Sequence, residues 1–193
     1  MIDFQLSRKL ILASGSPRRK ELMQTLGLPF SVLVSDVDEN FPENFPPEKV
    51  PALLSERKAN TILRLEPEAI VLAADTVVVA GHSILNKPED EASAMQMLEE
   101  LSGRVHSVYT AFTLASAFHS ITITDKADVY FKSLTQKEIN YYLQKGNPYD
   151  KAGAYGIQEW IGLVAVERIE GSYFTVMGLP CHLVWQQLIE HYL

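Results

Sequence analysis

The chain of 193 residues has a single cysteine, Cys181. No intrachain disulfide can form and a zinc site built from several cysteines is excluded, which fits a reducing compartment. Long apolar runs are missing as well. Nowhere do eighteen apolar residues follow one another, and the opening "MIDFQLSRKLILAS" carries an acid and no apolar stretch of signal-peptide length. The expectation is a cytoplasmic protein, neither exported nor membrane-spanning. Positive charge is scarce, with 17 Lys and Arg against 24 Asp and Glu and a net charge of −7, so a nucleic-acid polymer would meet net repulsion and is not an expected partner. Neither GxxxxGKS nor GxxxxGKT nor GxGxxG occurs, and the P-loop and dinucleotide-binding readings fail. The five histidines, His82, His106, His119, His182 and His191, show no metal-ligand spacing and read as packing or surface residues. There is no internal repeat, low-complexity tract or flexible linker. The chain therefore reads as a single domain over residues 1–193, with room for two lobes about a cleft.

The few positive charges are not evenly spread. Five of the 17 basic residues (Arg8, Lys9, Arg18, Arg19, Lys20) fall in the first twenty positions beside one acid, Asp3, a cluster suited to a small anion. "KLILAS" reads as a buried strand, and Ser16-Pro17 as a helix start, a hydroxyl cap followed by proline at the first helical position, with Gly27 as the stop. "FSVLVSDVDEN" reads as a second strand spilling into acids. "FPENFPPEKVP" holds four of the ten prolines and must be an irregular loop. A helix is expected from about Val50 to Arg64, then a long apolar β run, "AIVLAADTVVVAGHSIL", reversing at Ala80–Ser83. "NKPEDEASAMQMLEELSG" reads as a helix with Ala94, Met97, Leu98 and Leu101 on one face. Val105 to Phe131 reads as a hairpin turning near "AFHS", and Thr135 with Glu138 forms a capping box for a helix that buries Ile139, Tyr142 and Leu143 and ends at Gly146. "DKAGAYGIQ" reads as a loop, "IGLVAVERIEG" as a strand and "GLPCHLVWQQLIEHYL" as a closing helix in which Cys181 packs. This order of elements predicts an α/β protein with a mixed sheet.

Two features invite chemistry. Ser14, Gly15 and Ser16 lie between a strand and a helix whose first N–H groups point back at the turn. That is an anion site, with Arg18 and Arg19 as bidentate donors and Lys20 as a point charge or a solvated one. An ordinary capped helix with a basic first turn is the competing reading, although cations sit unfavourably at a helix N-terminus unless an anion joins them. Asp75 is an acid inside "AIVLAADTVVVA", where a carboxylate needs partners. It is either a structural ion pair or turn cap, or a group facing a metal ion or a water to be activated. Glu39, Lys58 and Lys87 are weak singly. Together with Asp75 and the arginines they supply acids for a divalent cation and cations for phosphate oxygens, the minimum set for cleaving a phosphoanhydride. Thr76 would leave the opposite face of a regular strand from Asp75 unless a bulge intervenes. In the glycine-bearing loop, Gln158 offers a donor and acceptors to a base edge.

Seven ordered blocks carry a resemblance: "LASGSPRRKELMQTLG" at 12–27, "ERKA" at 56–59, "AADTVV" at 73–78, "LNKPED" at 85–90, "LSGRVHSVYTA" at 101–111, "YDKAGAYGIQ" at 149–158 and "VERIEGSYFTVMGLP" at 166–180. The sequence resembles the Maf family of nucleoside triphosphate pyrophosphatases. The resemblance implies hydrolysis of a nucleoside triphosphate to monophosphate and pyrophosphate with a divalent cation such as Mg²⁺ or Mn²⁺. It also implies a mixed sheet with flanking helices and two lobes around a nucleotide cleft, similar to the inosine triphosphate pyrophosphatases. Carried over by position, Asp75 matches the family's proposed proton acceptor, and Ser14, Arg18, Arg19, Glu39, Lys58 and Lys87 match its other active-site positions; the expected metal ligands are Glu39 and Asp75. Arg18, Thr76 and Gln158 match the subgroup that acts on dTTP and UTP rather than on 7-methyl-GTP. The implied role is clearance of noncanonical or excess pyrimidine triphosphates, and a homodimer is common for folds of this kind. The alternative the resemblance leaves is a nucleotide-binding regulator of septum formation. The acid-rich stretch 36–48 departs most from the family's pattern, which bears on Glu39.

Overall fold

The structure, a computed structural model, describes residues 6–34, 36–42, 44–81 and 83–193. A short strand β1 (Leu10–Leu12) leads into helix α1 (Pro17–Leu26), and β2 (Phe30–Val32) and helix α2 (Val50–Leu65) follow. Next come β3 (Ile70–Ala80), β4 (Ser83–Leu85), α3 (Glu91–Leu101), β5 (Val105–Ala115), β6 (Ser120–Phe131) and α4 (Gln136–Lys145). The chain closes with α5 (Trp160–Ala165), β7 (Val166–Glu170), α6 (Tyr173–Met177) and α7 (Cys181–Tyr192). Strand order is β2-β1-β3-β5-β6-β7, with β4 also on β3. β1 pairs in parallel with both β2 and β3, while β3–β4 and β6–β7 are antiparallel. The sheet is mixed, as the sequence predicts.

The chain divides into two compact units. The first comprises the chain up to Asp75, Thr110–Asp125 and Gly178–Leu193. Its core is a cluster from β1, α2, β3 and β5 that includes Ile11, Ile62, Val71 and Ala73. On α2 the buried residues Leu54, Ser55, Ala59 and Ile62 recur at helical spacing, and each fully buried aliphatic side chain contributes about 1.5–3 kcal/mol. The second unit comprises Thr76–Tyr109 and Lys126–Met177. There α4 buries Ile139, Tyr142 and Leu143 as expected, and both halves of the Thr135–Glu138 capping box form. His106, Phe131 and Tyr155 meet edge to face, with ring centroids 5.0–5.4 Å apart.

Several local expectations fail for physical reasons. Ser16 precedes Pro17 at the start of α1 but its side chain caps nothing; the hydroxyl that folds back is that of Ser14, which accepts from the Ser16 N–H at 3.3 Å. The second strand is only Phe30–Val32, because the acids that follow are solvent-facing and unpaired by a ladder. The run expected as the strand "IGLVAVERIEG" is divided. Residues 160–165 wind into α5, with Ile161 and Ala165 as its buried pair four positions apart, and only Val166–Glu170 is extended. A continuous apolar run does not distinguish a short helix from a strand. On α3 the face expected from the sequence is kept, with Ala94, Leu98 and Leu101 buried and Met97 half-buried. His106 packs in the core, while His182 and His191 are exposed. The reading of His82, and the residue at the centre of the Ala80–Ser83 reversal, lie outside the described residues.

Candidate functional site

The first unit places its chemistry at one end of the parallel strands. Leu12 is in register with Leu72 and with Val32, and Ser14, Glu39 and Asp75 all come after those positions in the chain. Ligands of open α/β sheets gather at the carboxyl ends of the strands, and Ser14 and Asp75 lie two and three residues beyond paired positions of β1 and β3. The Ala13 N–H donates to the Leu72 carbonyl at 2.7 Å, which holds the two exits side by side.

Three of the residues singled out in the sequence meet directly. The Lys58 ammonium lies 2.6 Å from Asp75 Oδ1 and 2.6 Å from Glu39 Oε1. Lys58 and Asp75 are each largely buried, while Glu39 is more than half exposed. One cation therefore bridges two carboxylates, and the acid-rich loop that departs from the family pattern does bring Glu39 to the site. Two devices position this group. Arg57, one residue before Lys58, donates through Nη1 to the carbonyls of Asp38 (2.9 Å) and Asn40 (2.6 Å), clasping Glu39 from both sides. Ser55, fully buried, shares a 2.9 Å hydrogen bond with Thr113, which shares another with Thr122, fixing α2 three residues before Lys58. Neither device stood out in the sequence. An arginine on a helix and a serine among apolar neighbours are commonplace.

The basic turn is held in place through Arg19. Arg19 donates from Nε to the Gly178 carbonyl (2.8 Å) and from Nη1 to the Ser14 hydroxyl (3.2 Å). Burial lowers the Arg19 pKa; the charges of Asp75 and Glu39 oppose that and the charge of Arg18 adds to it. Arg19 thus feels both carboxylates and its neighbouring arginine. Arg18 is half-buried and Lys20 exposed. Three cations at the first turn of α1, with no acid among them, oppose the helix dipole, and a bound anion reverses the sign of that interaction.

The remaining three residues belong to the second unit. Thr76 follows Asp75 within β3, so its side chain leaves the opposite face of the strand. Lys87 and Gln158 are both exposed. The loop 151–158 orders them locally. The Gly153 N–H donates to the carbonyl of Asn86, beside Lys87, at 3.2 Å. Gly153 has φ +69°, and a Cβ there would lie 3.0 Å from Val78 Cγ1, so only glycine lets the loop approach β3 this closely. Ala154 follows with φ 60°, a left-handed conformation that strains an alanine by about 1–2 kcal/mol. Gln158 is the exposed residue at the end of a run, 153–157, that is otherwise buried. A cavity of about 440 Å³ opens on this unit beside Tyr142, Glu159 and Trp160 and takes in none of the candidate site residues.

Glu39 and Asp75 supply only hard oxygens and already converge on one ammonium, which suits Mg²⁺ or Mn²⁺. Such ions take one or two carboxylates and complete their shell with phosphates and water. Among the described residues no group of three or more His, Cys, Asp or Glu is placed to hold a metal ion. Among the described residues, too, no helix is long and apolar enough to cross a membrane.

Comparison with known proteins agrees. A Porphyromonas gingivalis protein named dTTP/UTP pyrophosphatase is 42% identical over 192 residues, covering 97% of this chain and 96% of that one. A Thermotoga maritima protein of the same name is 46% identical over 184 residues, covering 94% and 89%. Among solved structures, the Staphylococcus aureus Ham1 protein shares the fold, with a TM-score of 0.56 at 12% identity over 93% of this chain and 100% of that one. The family described as Maf-like protein matches residues 9–191. Ser14, Arg18, Arg19, Glu39, Lys58, Asp75, Thr76, Lys87 and Gln158 all lie inside that match, and the chain belongs to the Maf family.

Proposed function

We propose that the protein is a nucleoside triphosphate pyrophosphatase that hydrolyses dTTP and UTP, and modified pyrimidine nucleoside triphosphates, to the monophosphate and pyrophosphate. The observation that carries this reading is the Glu39–Lys58–Asp75 bridge beside the Ser14–Arg19 turn, two carboxylates and several cations at one strand end. Relatives bearing the dTTP/UTP pyrophosphatase name at 42–46% identity support the same assignment.

In this mechanism Arg18, Arg19 and Lys58 bind the triphosphate, with the Ser14 turn and the start of α1 facing its oxygens; a phosphate-binding role for Lys87 rests on the resemblance alone. Glu39 and Asp75 would hold a divalent cation, Mg²⁺ or Mn²⁺, whose chemistry when bound is to neutralise charge on the phosphates as it builds on the leaving group. Asp75, with one oxygen engaged by Lys58, takes the proton of a water that attacks the α-phosphorus. The bond from the α-phosphorus to the bridging oxygen then breaks, and pyrophosphate departs with its charge covered by lysine and arginine. Gln158 reads the pyrimidine: an amide offers both a donor and an acceptor to the mixed edge of uracil or thymine. Arg18 and Thr76 complete the specificity set, and the 2′-hydroxyl is read weakly. A cytoplasmic location and a homodimeric assembly belong to the same proposal, the second open to light scattering in solution.

Hydrolysis in ¹⁸O-labelled water tests the chemistry. Attack at the α-phosphorus puts the label in the monophosphate and none in pyrophosphate. Label in pyrophosphate, or release of orthophosphate, would refute the mechanism.

A further inference from the structure

Lys151 is a charged residue with only 4% of its surface exposed, and nothing in the proposed chemistry uses it. Its ammonium donates to the Asn147 carbonyl, to Asp150 Oδ1 at 2.5 Å and to Glu159 Oε1 at 2.8 Å. The other oxygen of Glu159 accepts from the Tyr142 hydroxyl at 2.5 Å, and that hydroxyl in turn accepts from the Gly156 N–H at 3.3 Å. The chain of bonds thus begins and ends on the loop that carries Gln158. Gly156 is part of the construction, since a Cβ there would stand 2.9 Å from Lys151 Cε and 3.0 Å from the Glu159 carboxyl carbon. Between these anchors the Glu159 N–H donates to the Gly156 carbonyl at 2.9 Å, closing the turn 156–159. Ile157 is buried within that turn and Gln158 projects from it. Burial and the Glu159 carboxylate both push the Tyr142 pKa up, so its hydroxyl keeps its proton and remains a donor.

A buried ion pair is a costly device and weak evidence of stability alone. Here it holds the backbone turn from which Gln158 projects. An amide that can rotate or shift presents either polarity, and uracil and cytosine differ by that polarity, acceptor and N–H donor against amine donor and ring acceptor. We propose that Tyr142, Glu159 and Lys151 are positioning residues that hold the 156–159 turn, so that Gln158 meets a uracil or thymine edge and rejects a cytosine edge. The proposal rests on the reading of Gln158 as the base-contacting residue.

Glu159→Ala would leave Lys151 buried with less counter-charge and threatens the fold, so Tyr142→Phe is the primary variant. It removes one hydroxyl from a side chain whose ring stays packed. Steady-state hydrolysis of dTTP, UTP and CTP is measured for the wild type, Tyr142→Phe, Gln158→Ala and the double variant, with thermal unfolding of each. The expected result for Tyr142→Phe is a kcat within about twofold of wild type, a KM for dTTP and UTP raised about three- to tenfold, and a kcat/KM ratio of dTTP over CTP lowered by a similar factor, the weight of about one hydrogen bond. In the Gln158→Ala background the same change should move that ratio less than about twofold, because the two residues act through one contact. If Tyr142→Phe lowers thermal stability but leaves the ratio unchanged, or if the two effects simply multiply, the hub is structural and the inference is overturned. If Gln158→Ala itself leaves the ratio unchanged, the base-reading role of Gln158 fails and the positioning role falls with it.

Discussion

Asp75→Asn separates the two readings that the sequence leaves open for this acid. The substitution keeps shape and removes charge. Lys58 retains Glu39 at 2.6 Å and gains an amide oxygen in place of Asp75 Oδ1, so no buried cation is abandoned. The bond that remains still involves a charged ammonium, worth about 1.5–3 kcal/mol, so what is lost is the charge–charge attraction, about 1 kcal/mol with Glu39 still paired to Lys58. Against a total stability of about 5–15 kcal/mol the fold survives, with a Tm lowered by about 2–4 °C. Turnover should fall far more. Loss of a general base alone removes about 10²–10⁴-fold, and loss of a metal-ligating carboxylate adds to it. The assay pairs calorimetric or fluorescence-detected unfolding with pyrophosphate release at saturating dTTP. A variant that melts near the wild type and turns over within tenfold of it would refute the catalytic role. A variant that no longer folds would show that Asp75 is chiefly a structural partner of Lys58.

Arg57→Ala should release the loop that carries Glu39, since both carbonyl contacts of the guanidinium disappear; supports of this kind typically change metal affinity or activity by about 10–100-fold. Mn²⁺ binding followed by its electron spin resonance, together with the Mn²⁺ dependence of pyrophosphate release, would register it, and unaltered binding would dismiss the clasp. His106 carries a pH dependence of stability. Burial lowers its pKa from 6.5 to about 4, partly opposed by the charge of Asp128. The folded pKa lies below the unfolded one, so the unfolded chain takes up the extra proton first. Stability is complete above about pH 6.5 and falls as pH drops toward 4, by about 2 kcal/mol at pH 5. Denaturant titrations should show that loss in the wild type and a shallower one in His106→Gln; equal slopes would remove His106 as the cause. Gly153→Ala forces a side chain to φ +69° with its Cβ 3.0 Å from Val78, at a cost of about 1–3 kcal/mol, and an unchanged melting temperature would contradict that strain.

What the sequence made legible was whatever local chemistry determines. The Thr135–Glu138 box closes as written because both partners lie within one turn, and the apolar spacing on α4 identifies its buried face. Clustered cations beside Ser-Gly-Ser are visible in composition, but composition alone leaves a capped helix with a basic first turn as an equal reading. Distances between segments were not legible. Nothing local indicates that Glu39, nineteen positions before Lys58, folds back onto it, because the loop between them has no periodic pattern and Arg57 holds it through carbonyls that every residue possesses. Ser-Pro is a sound helix start and α1 does begin at Pro17, but it is the Ser14 hydroxyl, not that of Ser16, that the fold engages, with Arg19. Residues 160–165 read equally as strand or helix because a short apolar run is ambiguous until its burial is known. A lysine usually faces water, and only the three-dimensional placement of Glu159 and Asn147 shows Lys151 buried.

The most direct measurement is pyrophosphate release from dTTP, UTP, CTP, GTP and 7-methyl-GTP with Mg²⁺, with Mn²⁺ and with a chelator. The expected result is cleavage of dTTP and UTP that requires the metal, with the other three turned over poorly. Preference for a purine triphosphate would contradict the reading of Arg18, Thr76 and Gln158, and tight nucleotide binding without hydrolysis would contradict the enzyme itself.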